Sequence, residues 1–184
     1  MRTHRRDATV DLKAAIRAIP DHPKPGIIFR DLTTLMGNPE AFRATCQALA
    51  DAHQDRGVTH VAGIEARGFI FGAAVADRMQ TAFVPVRKAG KLPHKTITKS
   101  YALEYGEDTL EIHEDALPEG ARVLLIDDLL ATGGTAAASV ELIRAAGGEV
   151  AGAGFVVELV GLPGRSRLEG LGVETLALTS FEED

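Results

Sequence analysis

An α/β fold with an open, mainly parallel sheet covered by helices is what this sequence predicts. Three apolar runs carry the prediction: His60 to Ile64, Ala82 to Val86 and Val123 to Ile126. Each is short, nearly continuous and bounded by turn residues, the pattern of a strand buried on both faces. Helical periodicity alternates with them, and strands in alternation with helices argue for parallel pairing.

The elements follow in order. Asp11 to Ile19 predicts a helix, with Leu12, Ala15, Ile16 and Ile19 on one face and Pro20 ending it. Pro23-Lys24-Pro25-Gly26 is a turn, and Ile27-Ile28-Phe29 a short strand or extended piece. A second amphipathic helix spans Ala41 to Gln54. The first buried strand runs into Glu65-Ala66-Arg67-Gly68 and a helix beginning near Phe69, and the strand at Val123 leads through a glycine-rich turn into a helix from Thr135 to Ala146. Gly152 to Val160 and Val173 to Leu178 complete the sheet. Between Arg87 and Leu117 the pattern breaks into a polar stretch too long for an ordinary connection, which predicts a functional flap, and its alternation makes that flap a β-hairpin.

The bulk numbers bound the rest. At 184 residues, with 45% hydrophobic and 25% charged, the chain is long enough for one domain with a buried core and is expected to form a single domain. The net charge of −6, from 26 acidic and 20 basic residues, disfavours a nucleic-acid backbone or an anionic membrane as partner, so any phosphate site has to be local. Cys46 has no partner for an intramolecular disulfide, which fits a reducing cytoplasm and a packing role. No run of about 18 apolar residues and no secretory signal is present, so a cytoplasmic protein is expected. Arg2, His4, Arg5 and Arg6 read as a solvated start rather than an anion-binding arm.

The strongest motif is Val123 through Thr135, VLLIDDLLATGGT. It sets two adjacent carboxylates, Asp127 and Asp128, at the end of a buried strand and follows them with a small-residue loop at a helix N-terminus. That is the carboxyl edge of a parallel sheet, where open α/β folds bind ligands. Gly133 and Gly134 let backbone N–H groups approach, Thr132 and Thr135 add hydroxyls, the helix dipole favours a dianion, and Ala131 belongs to the same candidate site. No lysine follows the glycines, so this is not the triphosphate-binding loop. Carboxylates for a vicinal diol beside a cradle for a phosphate monoester together suit ribose 5-phosphate. Arg67, Arg87, Lys88 and Lys91, which follow two strand ends, are the basic candidates to meet an anionic ligand, although each taken alone also fits a solvated surface charge.

At these residues the sequence resembles the phosphoribosyl pyrophosphate signature of the type I phosphoribosyltransferases. Pro25 to Leu32, Gly63 to Phe69, Gly90 to Pro93 and Tyr101 to Gly106 each resemble stretches of the adenine phosphoribosyltransferases, so the resemblance runs from about Leu12 to beyond Leu162. It implies the type I phosphoribosyltransferase fold, with a hairpin flap over about 87–117 and a small base-binding hood. The activity implied is Mg²⁺-dependent transfer of the phosphoribosyl group from phosphoribosyl pyrophosphate to N9 of adenine, giving AMP and pyrophosphate. Adenine recognition is carried to the backbone of Ile28, Phe29 and Arg30, with Leu159 packing on the base. Adenine offers an acceptor at N1 and a donor at its amino group, which a backbone N–H and C=O satisfy as a pair. Hypoxanthine and guanine invert that pattern, at about 1–3 kcal/mol per unpaired group.

The resemblance also assigns Arg67, Arg87, Lys88 and Lys91 to the diphosphate, Glu104 as acid/base, Tyr105 as a residue closing over the site, Asp127 and Asp128 as catalytic carboxylates reaching Mg²⁺ through water, and a homodimer. A solvent-facing strand residue is the plain alternative for Glu104. The six histidines, at 4, 22, 53, 60, 94 and 113, show no metal-ligand spacing. Two rivals stand beside this reading: a phosphoribosyltransferase for another base such as xanthine, hypoxanthine or orotate, and a catalytically inactive phosphoribosyl pyrophosphate-binding regulator. The segment 27–32 disfavours the first, and the acidic balance disfavours a nucleic-acid-binding form of the second.

Overall fold

The computed structural model describes residues 10–102 and 106–182. The chain divides into two compact units, Met1–Thr45 and Cys46–Asp184.

In the smaller unit, strand β1 (Arg17–Ile19) pairs antiparallel with β2 (Phe29–Asp31), Ile19 opposite Phe29 and Ala18 opposite Arg30. The helix expected over Asp11 to Ile19 does not form. Its start makes one loose turn, with Ala14 N–H on Asp11 Oδ1 (3.1 Å) and Ala15 N–H on the Leu12 carbonyl (3.2 Å). Thr34 then displaces the helical bonds, donating its hydroxyl to the Ala15 carbonyl (2.7 Å) and accepting the Arg17 N–H (3.1 Å). The pairing of β1 with β2 takes the rest. The apolar positions that suggested a helix are still used, since Ile16 is buried, so tertiary pairing overrode a pattern one turn long. Helix α1 (Thr33–Met36) follows, started by Asp31, whose Oδ1 accepts Thr33 N–H (2.9 Å). Helix α2 (Pro39–Asp51) starts within this unit, its first N–H groups capped by Asn38 Oδ1.

The larger unit holds a seven-stranded sheet. After the end of α2 come β3 (His60–Ile64), α3 (Arg67–Met79), β4 (Ala82–Lys88), β5 (Thr96–Ala102), β6 (Glu107–His113), β7 (Arg122–Leu130), α4 (Gly134–Ala145), β8 (Glu149–Val160), α5 (Gly164–Gly170) and β9 (Thr175–Glu182). The spatial order is β5-β6-β4-β3-β7-β8-β9. Strands β4, β3, β7, β8 and β9 run parallel, and β5 and β6 form an antiparallel hairpin joined through β6 to the end of β4. The type I fold expected from the sequence is therefore present, its long polar stretch folded as the hairpin.

Alternation sorts the two faces. Ala62, Ile64, Val84, Val86, Val123, Leu125, Ala153 and Phe155 pack with Ala136, Val140 and Ile143 of α4 in one core. On the other face α3 sits very close to β3, because Gly72 and Gly63 have no side chains: a Cβ on Gly72 would stand 3.2 Å from the Gly63 Cα. Cys46 is buried and its thiol is pushed up to about 11 by that burial, so it packs as a small apolar group. No helix among the described residues is long and apolar enough to cross a membrane.

Candidate active site

All parallel strands of the larger unit end on one side, where β7 delivers Asp127 and Asp128. Asp128 is 5% exposed and its Oδ2 accepts a hydrogen bond from Arg67 Nε, from the first residue of α3. Asp127 turns back, its Oδ1 accepting the Asp128 N–H (2.9 Å). Gly68 makes room for it, since a Cβ there would stand 2.7 Å from Asp127 Oδ1. Burial, then the charge of Asp128, hold the Asp127 carboxyl well above the usual carboxylate range.

The loop that follows is a concave turn. Gly133 caps α4 with φ 74°, and a Cβ on it would meet the Gly164 Cα at 2.8 Å, so both its dihedral and its neighbour require glycine. Gly164, at the start of α5, is itself fitted against the loop, within 2.3 Å of the Ala131 carbonyl for an added Cβ. Asp127, Ala131, Thr132, Gly133, Gly134 and Thr135 together line a small cavity of about 100 Å³ at the α4 N-terminus. A larger cavity of about 520 Å³ shares Asp127, Leu129 and Thr135 with it and is walled also by Arg67, Lys88, Tyr101, Asp108 and Asp128. Cradle, carboxylates and cations therefore share one recess.

The basic residues are not equivalent. Lys88 borders the recess with its ammonium 3.0 Å from Asp108 Oδ2, and that carboxylate raises its pKa. Arg87 points elsewhere: Nε reaches Glu65 Oε2 at 3.2 Å, Nη2 reaches Glu65 Oε1 at 3.4 Å, and Nη1 donates to the Lys91 carbonyl at 3.1 Å. Burial works to raise Glu65, but the bonds from Arg87 and the Lys88 N–H outweigh it and hold this carboxyl below its ordinary value. Glu111 does the same for the next turn, accepting Lys91 N–H (2.8 Å) and Leu92 N–H (2.7 Å). The Lys91 ammonium forms no ion pair among the described residues. Neither Arg87 nor Lys91 lines the recess.

Leu159 lies half-buried near the carboxyl end of β8, opposite Phe181 of β9. In the smaller unit, Ile28 is exposed just before β2, and the Phe29 ring meets His22 edge-on at 5.2 Å. Glu104 and Tyr105 lie outside the described residues. Four residues with structural parts in the site were not singled out from sequence: Glu65, Tyr101, Asp108 and Glu111. Their partners lie across strands, and of the four only Glu65 and Tyr101 fall in stretches marked by the resemblance, Gly63 to Phe69 and Tyr101 to Gly106. Among the described residues no three His, Cys, Asp or Glu side chains cluster tightly enough to hold a metal.

The Phosphoribosyl transferase domain family matches residues 32–166, which include the β7 carboxylates and the whole cradle. The adenine phosphoribosyltransferase of Aeromonas salmonicida is 57% identical over 170 residues, 92% of this chain and 94% of its own length. The chain belongs to the adenine phosphoribosyltransferase family. Solved members of that family share its fold. The crystal structure from Thermoanaerobacter pseudethanolicus aligns with TM-score 0.88 at 48% identity, covering 92% of this chain and 98% of that one. The Saccharomyces cerevisiae structure, complexed with D-2,5-dideoxy-2,5-imino-altritol 1,6-bisphosphate and adenine, aligns with TM-score 0.85 at 38% identity over 91% of this chain and 96% of that one. As a member of this family the chain is a pentosyltransferase.

Proposed function

We propose that the protein transfers the 5-phosphoribosyl group of phosphoribosyl pyrophosphate to N9 of adenine, making AMP and pyrophosphate for purine salvage. The observation that carries this reading is the single recess in which a main-chain cradle, two adjacent carboxylates and two cations meet. The loop 131–135 takes the 5-phosphate through N–H groups, hydroxyls and the α4 dipole. Asp127 and Asp128 accept hydrogen bonds from the ribose diol and lie beside the positive charge that grows on the ring as the bond to pyrophosphate breaks. Arg67 and Lys88 face the departing diphosphate.

In the step itself the anomeric carbon loses its bond to the pyrophosphate oxygen and gains one to N9. The electron pair leaves with pyrophosphate, and the proton of the base passes to an acceptor, the role carried to Glu104. The donor set fits a hard cation brought by its substrate: the two carboxylates offer oxygen ligands without a closed cage, and Asp128 is already engaged with Arg67. Asp127 and Asp128 would hold Mg²⁺ through water, and the ion would neutralise the leaving diphosphate. For adenine, the backbone of Ile28 to Arg30 is assigned the base edge, β2 being paired with β1 along one edge only of its two-stranded sheet, and Leu159 is assigned the ring face. The same reading places the enzyme in the cytosol as a homodimer, and it keeps Arg87 and Lys91 as contacts for a bound diphosphate although neither lines the recess.

The test supplies phosphoribosyl pyrophosphate and Mg²⁺ with adenine, hypoxanthine, guanine, xanthine or orotate in turn and follows nucleotide formation. AMP from adenine alone is expected. Turnover of another base instead would discard the assignment of Ile28 to Arg30, and tight binding of phosphoribosyl pyrophosphate with no turnover of any base would turn the protein into a regulator.

A further inference from the structure

Tyr101 has no part in the reaction as derived above, yet it stands at the junction of the hairpin and the cradle. It faces Asp108 across the β5–β6 ladder and donates its hydroxyl to Asp108 Oδ2 at 3.3 Å. The same hydroxyl accepts a hydrogen bond from Thr135 Oγ1 at 3.1 Å. Asp108 is held on its other sides by the Lys88 ammonium (3.0 Å) and the Thr109 N–H (2.9 Å). The Tyr101 ring lies on the first residue of α4: a Cβ on Gly134 would stand 3.3 Å from Tyr101 Cδ2. Lys88, Asp108, Tyr101 and Thr135 thus form one hydrogen-bonded chain along the wall of the recess.

A hydroxyl has one proton to give. In the chain as it stands, the Thr135 proton is spent on Tyr101 and cannot serve the cradle. A dianion in the cradle draws that proton, and rotation alone can supply it. The Tyr101 hydroxyl turns from Asp108 to the Thr135 oxygen, and the Thr135 proton turns to the phosphate. No bond to hydrogen breaks. The contact given up is the longer of the two, and Asp108 keeps two donors, so no buried acceptor is stranded. Burial raises the Tyr101 phenol above its ordinary value, which keeps it a donor.

We propose that Tyr101 is a positioning residue for the 5-phosphate: it shifts its hydrogen bond from Asp108 to Thr135 when the cradle fills, and thereby aims the Thr135 hydroxyl at the phosphate. The proposal rests on reading 131–135 as the 5-phosphate site. Its consequence is that the hairpin helps set affinity at the cradle.

The test is equilibrium binding of ribose 5-phosphate, and separately of pyrophosphate, to the full chain and to Thr135→Val, Tyr101→Phe and the double variant. Thr135→Val is expected to weaken ribose 5-phosphate about tenfold or somewhat more, the low end for a hydrogen bond to a charged group, and Tyr101→Phe about three- to tenfold, the scale of one neutral hydrogen bond. The double variant should bind no more weakly than Thr135→Val alone, because Tyr101 acts only through Thr135. Pyrophosphate binding should stay within about twofold in Tyr101→Phe, which keeps the ring packed on Gly134 and so preserves the fold. Ribose 5-phosphate bound as tightly by Tyr101→Phe as by the unaltered chain would overturn the proposal, as would losses that multiply in the double variant. An unaltered chain with no affinity for ribose 5-phosphate would overturn the reading of the cradle, and this proposal with it.

Discussion

The turn after β7 and the turns after β3 and β4 sit side by side at the carboxyl ends of parallel strands, yet they are built differently. After β7 the chain uses small residues: Gly133 with positive φ, Gly134 at the helix start, and Gly164 pressed against Ala131. What a ligand meets there is backbone with the Thr132 and Thr135 hydroxyls beside it. After β3 and β4 the chain uses charge: Glu65 holds Arg87 and the Lys88 N–H, Asp108 holds the Lys88 ammonium, and Glu111 holds the N–H groups of Lys91 and Leu92. The first turn is rigid and specific in geometry. The second is a network whose cations are partly committed before any ligand arrives, so its affinity for a diphosphate is a competition among carboxylates.

The contrast predicts a large penalty for touching the first turn and a graded one for touching the second. Gly133→Val places a branched side chain at φ 74° and against Gly164, and should lower kcat/KM with adenine by about 10²-fold or more through a misplaced cradle. Steady-state rates check it, and a loss under about fivefold would mean that the backbone there does not position the substrate.

Asp127→Asn separates catalysis from stability in the same strand. The acid's pKa is raised by burial and by Asp128, so its charged form costs stability at neutral and higher pH, and the native state is favoured as pH falls through the raised value. The amide keeps the size and the acceptor for the Asp128 N–H while removing the charge. Activity should fall by about 10²-fold, while Tm at pH 8 should rise by roughly 2–4 °C, with the gap closing at lower pH. A lower Tm at pH 8 would show that the carboxylate is satisfied in the free protein.

In the second turn, Arg87→Ala frees Glu65 and the Lys91 carbonyl without entering the recess, and should cost about 1 kcal/mol at pH 7. The Glu65 pKa is depressed in the native state, so its contribution is present above the ordinary glutamate range and is lost as pH falls through that range toward the native value. Urea titrations at pH 7 and pH 4 should therefore show a smaller difference between variant and parent at the lower pH. A difference that grows on acidification would remove Glu65 as the partner that matters.

The same contrast explains what the sequence made legible. The cradle could be read directly because its chemistry is local: Asp127 to Thr135 are contiguous, and glycine and threonine declare their use by type. The inner parallel strands β3, β7 and β8 could be read because they are apolar and buried nearly throughout. The charged turns could not, because Arg87 and Glu65 are 22 positions apart, and Tyr101 meets Asp108 only through the hairpin register. The four cations therefore looked alike, whereas the structure distinguishes Arg67 and Lys88 on the recess from Arg87 and Lys91 away from it. The start of the chain misled for a related reason. One turn of helical spacing in Leu12, Ala15 and Ile16 is shorter than what periodicity can decide, and Thr34, 19 positions from Ala15, supplied the bond that broke it.

The most direct test of the account measures pyrophosphate released and AMP formed by the purified chain with phosphoribosyl pyrophosphate, Mg²⁺ and saturating adenine, beside Gly133→Val. One pyrophosphate per AMP is expected, with release that depends on adenine and loss of both products together in the variant. Pyrophosphate release that proceeds without adenine, or AMP formation that survives in Gly133→Val, would contradict the account.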